Sequence, residues 1–161
     1  MTSDLASTPR HRWTSLPGDE RRALLQMLVM VPLFHMAVRV WDYQRTRAFV
    51  DRRSEAAWLR ASAAGHARPV PPSLYGRASQ RMAARPWVPG NCLSRSLAVL
   101  WFLKRHGYQP DLRLGVSLAD GKFAAHAWVE LDGAVVNDRP DVATRFAPLT
   151  GTPQAHPFDR A

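Results

Sequence analysis

The stretch Gly90-Asn91-Cys92-Leu93-Ser94-Arg95-Ser96-Leu97 sets the fold. Before it, Arg85-Pro86-Trp87-Val88-Pro89-Gly90 is a Pro/Gly loop. After it, Leu93, Leu97, Leu100, Trp101 and Lys104 recur at three- and four-residue spacing, which predicts a helix with Cys92 in its first turn. Cys92 is the sole cysteine among 161 residues, so neither an internal disulfide nor a C-x-x-C pair is available to it. A lone cysteine is often no more than a small buried hydrophobe. In the first turn of a helix it instead meets unpaired N–H groups and the positive end of the macrodipole, surroundings that suit a nucleophilic sulfur.

The residues downstream support the nucleophile. His106-Gly107 closes the helix with a glycine signal, and His106 there is read as a partner for the last carbonyls. Leu112 to Leu118 alternates as a strand, Ala119-Asp120-Gly121-Lys122 reads as a hairpin turn, and Phe123 to Glu130 forms the next strand. Ala125, Ala127 and Val129 share one face of that strand; Ala124, His126 and Trp128 share the other. Ala134 to Asn137 then runs back to Asp138. The order is nucleophile on a helix, imidazole on the second strand and carboxylate past the third, the arrangement of thiol catalysis.

The second hairpin decides which side chain meets His126. A two-residue loop, Asp132-Gly133, would set Asn137 on the histidine's face. A three-residue loop, Leu131-Asp132-Gly133 with Gly133 in a G1 bulge, would set Asp138 opposite it, and this second arrangement is the one expected.

Cys92-Leu93-Ser94-Arg95-Ser96-Leu97-Ala98, Leu103-Lys104-Arg105-His106-Gly107-Tyr108, Leu114-Gly115-Val116, Ala125-His126-Ala127-Trp128-Val129-Glu130 and Asp132-Gly133 resemble the lasso peptide biosynthesis B2 proteins. These are transglutaminase-like cysteine peptidases. The resemblance is strongest over residues 75–142, and it implies a Cys92–His126–Asp138 triad. It also implies an α+β fold: a transglutaminase-like, papain-like core, with the cysteine helix packed on an antiparallel meander, preceded by a helical N-terminal part. The implied substrate is a ribosomally made lasso precursor, cut between leader and core. The implied partners are a separate B1 leader-recognition protein with a PqqD-like recognition element and an asparagine-synthetase-like cyclase, the C protein. Two other classes use the same residues differently: an acyltransferase in which an amine resolves the thioester, and a non-catalytic binding module.

Three divisions are expected: residues 1–12 disordered, 13–73 a helical part with a linker, and 74–161 the peptidase core. At 46% hydrophobic content the chain can bury one core. Its net charge of +9 is lopsided: residues 1–91 hold 14 Arg against 6 acids, whereas residues 92–161 sum to +1. A basic helical half suits an acidic partner or peptide. No zinc spacing, Gly-rich clamp or aromatic RNA-binding motif accompanies the charge, so nucleic acid is not expected. Nor is a metal or other cofactor, since no other histidine has Cys, His or Asp neighbours at ligand spacing.

Residues 23–38 contain 16 positions without formal charge, short of the roughly 20 that span a bilayer. Pro32 is expected to kink or divide them as helices 19–31 and 33–47 that pack on the core and on another protein, not in a membrane. A further helix is expected over 51–64, another over 74–85, and a turn-rich tail that covers the sheet edge past Asp138. The lone cysteine and the absence of a signal-like segment point to the cytoplasm. Trp87, Asn91 and Trp128 are the candidates for substrate or oxyanion contacts, with the Cys92 N–H as the first oxyanion donor.

Overall fold

The computed structural model describes residues 16–65, 70–85, 90–119 and 122–149. Residues 1–12, Trp87 and the Asp120-Gly121 turn lie outside them. Among the described residues four helices come first: α1 (Gly18–Trp41), α2 (Tyr43–Ala63), α3 (Pro72–Ala83) and α4 (Cys92–Arg105). Strands β1 (Asp111–Ala119), β2 (Lys122–Leu131) and β3 (Ala134–Val135), a short helix α5 (Val142–Arg145) and strand β4 (Ala147–Pro148) complete the chain order. The strands form one antiparallel sheet in the order β3-β2-β1-β4.

Helix α4 is the hub. Leu97, Ala98, Val99, Leu100 and Leu103 have no exposed surface, and α1, α2, α3 and β2 all pack on it. Such all-round burial is why the helix is apolar on more than one face. Met27, Val31 and Phe34 of α1, Val50 of α2, Tyr75 and Met82 of α3, and Leu112 and Val129 of the sheet share a single core with it. The aromatic ring of Tyr75 stacks on Phe102 at 4.6 Å, while its hydroxyl donates to Gln26 Oε1 at 3.0 Å.

The helices divide elsewhere than at Pro32. One 24-residue helix, α1, runs through the proline, and the chain breaks at Asp42 instead. Proline removes one backbone donor. Buried contacts on both sides of it, Met27 and Val31 before and Phe34 after, hold a common face against the core. Asp42 can end the helix because it takes a positive φ of 70° and caps α2, accepting the Arg45 N–H at 3.0 Å. The helix expected over 51–64 is therefore the second half of α2.

The second hairpin also departs from the expected three-residue loop. Leu131 pairs with Ala134, leaving two turn residues, Asp132 and Gly133, with φ of 50° and 79°. Two positive-φ residues make the turn whose twist matches that of the strands, and Asp-Gly is well suited to it. Pairing then ends at Val135, and residues 136–138 bend away.

Candidate active site

Cys92 is the first residue of α4, and the local sequence fixes that start. Asn91 Oδ1 accepts the Ser94 N–H at 2.9 Å, while Ser94 Oγ accepts the Asn91 N–H at 2.9 Å, a reciprocal capping box. These bonds leave the N–H groups of Cys92 and Leu93 without an acceptor among the described residues. They are the donors a helix start offers to a developing oxyanion.

Cys92, His126 and Asp138 all line one open cleft of about 280 Å³, with Ser79, Gln80, Arg95 and Asn137 among the other walls. His126 Nε2 lies 2.5 Å from Asp138 Oδ2, each side chain about one-fifth exposed. An ionised carboxylate only accepts, so Nε2 carries the proton and Nδ1 is left as the basic nitrogen. Asp138 is held from its other side. Its Oδ1 accepts the Arg139 N–H at 2.7 Å and lies 3.6 Å from the Arg145 guanidinium, and Gln80 Nε2 donates to its carbonyl at 3.2 Å. The imidazole is held by rings as well: Phe146 lies 4.8 Å from it and Trp128 lies 6.4 Å, both roughly parallel.

With a two-residue loop, regular pairing would have carried Asn137 to the histidine. Val136 prevents this. Its N–H still donates to the Val129 carbonyl at 2.9 Å, but the Val129 N–H is taken by Asn137 Oδ1 at 2.7 Å. A side-chain amide thus stands in for a strand carbonyl. The carbonyl of Val136 points instead at Gly76 of α3, where any Cβ would collide with it. Freed from the ladder one residue early, the chain brings Asp138 to His126.

Asn137 is then locked from below. Its Nδ2 donates to Ser96 Oγ at 2.9 Å, and Ser96 Oγ donates to the Ala127 carbonyl at 3.0 Å. Ser96 is wholly buried and Asn137 is 8% exposed, so these bonds lie away from solvent, where satisfied polar networks fix one geometry. One serine, a turn after Cys92, joins the cysteine helix to the strand carrying His126 and to the segment carrying Asp138.

Of the other candidates, Asn91 caps α4 and is absent from the cleft walls. Trp128 has no exposed surface and is absent from the cleft walls; its indole N–H donates to Glu130 Oε1 at 2.8 Å. Its ring sits against Gly115, where a Cβ would come within 2.9 Å of Trp128 and 3.0 Å of Phe146. Gly115 pairs with His126 on one side and Pro148 of β4 on the other, so the tail both covers the sheet edge and seats Phe146 on the imidazole.

The transglutaminase-like superfamily matches residues 27–151, most of the chain. The chain belongs to that superfamily. Its members generally have cysteine peptidase or transglutaminase activity, chemistry in which a cysteine and an acyl group form a thioester. The matched region begins inside α1, so the helical layer is part of the superfamily domain. No curated protein and no solved structure gives a significant match.

Several residues of this transglutaminase-like site escape a reading of the sequence. Ser96 carries a signal in hindsight, being a polar residue inside an otherwise fully buried run. Gly76, Gln80 and Arg145 carry none, since they are brought to the site only by packing of α3 and α5.

Proposed function

We propose that the protein is a cysteine peptidase that removes the leader from a lasso peptide precursor, with Cys92, His126 and Asp138 as its triad. The observation carrying this is the 2.5 Å His126–Asp138 contact in the cleft that Cys92 also lines. The motif resemblance around Cys92 and His126 supplies the substrate.

In the reaction, His126 Nδ1 takes the thiol proton and Cys92 Sγ adds to the peptide carbonyl at the leader–core junction. The Cys92 and Leu93 N–H groups receive the oxyanion. The imidazolium, steadied by Asp138, protonates the leaving amine, and the C–N bond breaks to give the core with a free N-terminus and a leader thioester. His126 then draws a proton from water, whose oxygen displaces the thiolate. A lone cysteine used as a thiol suits a reducing cytoplasm.

Leader recognition is assigned to a separate B1 protein, and the cyclase consumes the product. The docking surface proposed for the partner is the outward face of α1. There Leu25, Val29, Leu33, Met36 and Val40, all exposed, recur at helical spacing. Beside them Met30, Leu33, Phe34, Ala37, Trp41, Phe49 and Trp101 line an apolar cavity of about 300 Å³. Arg53 stands over Phe49 and Arg105 over Trp101, a cationic rim suited to an acidic partner. By length and hydropathy α1 also meets the criteria for a membrane span, the only described helix to do so. Its opposite face is buried in the shared core, which suits a surface role better than a spanning one.

The test is incubation of precursor and B1 with wild type, Cys92→Ala and His126→Ala, read by mass spectrometry. Cleavage at one bond by the wild type alone supports the reading; cleavage by Cys92→Ala refutes it. Amide products formed only with added amine would show transfer instead.

A further inference from the structure

The cleft holds a charge that the triad chemistry leaves unused. Arg95 lies three residues after Cys92 on α4, a spacing that puts the two on neighbouring positions of one helix face, and both line the cleft. It is half-buried, yet no carboxylate lies within 4 Å of it among the described residues and its guanidinium makes no hydrogen bond there. The one acid among the described residues that line the cleft is already engaged: Asp138 Oδ2 faces His126 and Oδ1 faces the Arg139 N–H and Arg145. Arg139 is mostly exposed and pairs with Asp141 at 3.4 Å. The other described lining residues, Ser79, Gln80, Ala83, Ala127 and Asn137, carry no charge. A guanidinium partly withdrawn from water without a counter-charge is unfavourable in the free protein, and it becomes favourable when a carboxylate enters. Its planar fork fits a carboxylate with two parallel hydrogen bonds.

We propose that Arg95 is a specificity-determining residue that binds an acidic side chain of the substrate peptide close to the scissile bond. This rests on the peptidase reading of Cys92, but the charge preference is measurable without turnover. Iodoacetate and iodoacetamide differ mainly in charge, and each alkylates Cys92 by forming an S–C bond and expelling iodide. Because Cys92 is the sole cysteine, one mass shift reports the reaction. At low salt, the iodoacetate-to-iodoacetamide rate ratio should be about fivefold higher in wild type than in Arg95→Gln, as expected for one charge pair at short range. Arg95→Lys should keep most of the excess. Arg60→Gln, which removes an equal charge from exposed α2, should not change it. About 0.5 M salt should shrink the wild-type excess.

An unchanged ratio in Arg95→Gln, or an equal fall in Arg60→Gln, overturns the proposal. If Arg95→Gln does not fold, a wild-type ratio insensitive to salt overturns it. With precursor, wild type should prefer Glu over Gln beside the cleaved bond and Arg95→Gln should not; equal cleavage by wild type overturns it. Failure of the peptidase reading looks different: the alkylation ratio holds while no Cys92-dependent cleavage is seen.

Discussion

Two cavities of nearly equal size flank α4, and they differ in almost every chemical respect. The one at its N-terminal end, about 280 Å³, is walled by Cys92, Arg95, His126, Asn137 and Asp138. The one beside Trp101, about 300 Å³, is walled by side chains that offer almost nothing polar. In the first, side chains are held by hydrogen bonds that leave few alternatives: the capping box, the Ser96–Asn137 link and the His126–Asp138 pair. In the second, Phe49 stacks on Trp101 at 6.0 Å, and Phe34 and Trp41 pack edge-on to these rings. Volume says nothing of role here. The polar cavity holds its groups in one arrangement, as the proposed chemistry requires, whereas the apolar one is a surface that gains by being covered.

The largest effect is expected at the sulfur. On the proposed peptidase reading, Cys92→Ala should lower precursor cleavage by at least about 10⁴-fold, because the members of a catalytic triad act as a unit and little chemistry survives loss of the nucleophile. Quantitative product analysis checks this. A change in the apolar cavity such as Trp41→Ala should leave cleavage of a short junction peptide within about twofold while weakening partner-dependent cleavage of the full precursor. Equal losses on both substrates would show that the two cavities are not separate in function.

Gly76→Ala should show the next largest effect. The added methyl would strike the Val136 carbonyl, part of the backbone, which cannot rotate away as a side-chain tip can. Overpacking of this kind costs about 1–3 kcal/mol. Urea denaturation should show that loss, and activity should fall further than stability, because the carbonyl's displacement carries Asp138 off His126. Normal activity in the Gly76→Ala protein would detach the chain exit from the site.

How much of this is legible in the sequence depends on the range of each interaction. The α4 start, the two long strands and the positions of Cys92 and His126 rest on local periodicity and capping, which a sequence displays. The exit past β3 rests on a glycine 60 residues upstream and on a serine of α4, neither of which any local pattern announces. Loop length misleads for the same reason. Regular pairing needs a third turn residue to bring Asp138 to His126, whereas the chain reaches it by letting Asn137 replace a ladder carbonyl. The break at Asp42 is hidden because proline is a louder signal than a capping aspartate, even where buried neighbours keep the helix intact.

Asn137→Ala should have a smaller effect on the polar cavity. It leaves the buried Val129 N–H without its acceptor, a loss of about 1–3 kcal/mol. Amide exchange at Val129 should accelerate and cleavage should fall. Asn137→Asp keeps an acceptor for Val129 but loses the donor to Ser96, so its activity should fall between those of wild type and Asn137→Ala.

The smallest expected effect lies at the clamp joining α1, which lines the apolar cavity, to α3, which lines the polar one. Glu20 accepts from Arg81 at 2.6 Å and from Arg77 at 3.2 Å. The Arg81 hydrogen bond, with the charges of both arginines, holds its carboxyl below the usual 4.5. A carboxylate with a depressed folded-state pKa contributes stability that is present above the unfolded value and is lost as pH falls through the folded one. Wild type should therefore lose more stability than Glu20→Gln as pH drops from about 5 to 3, with the difference constant near neutrality. Because the pair is near the surface, salt should diminish the gap. A gap that instead widened between about pH 6 and 8 would assign it to a histidine, and the tie between α1 and α3 would have to be sought in the hydrogen bond from Tyr75 to Gln26.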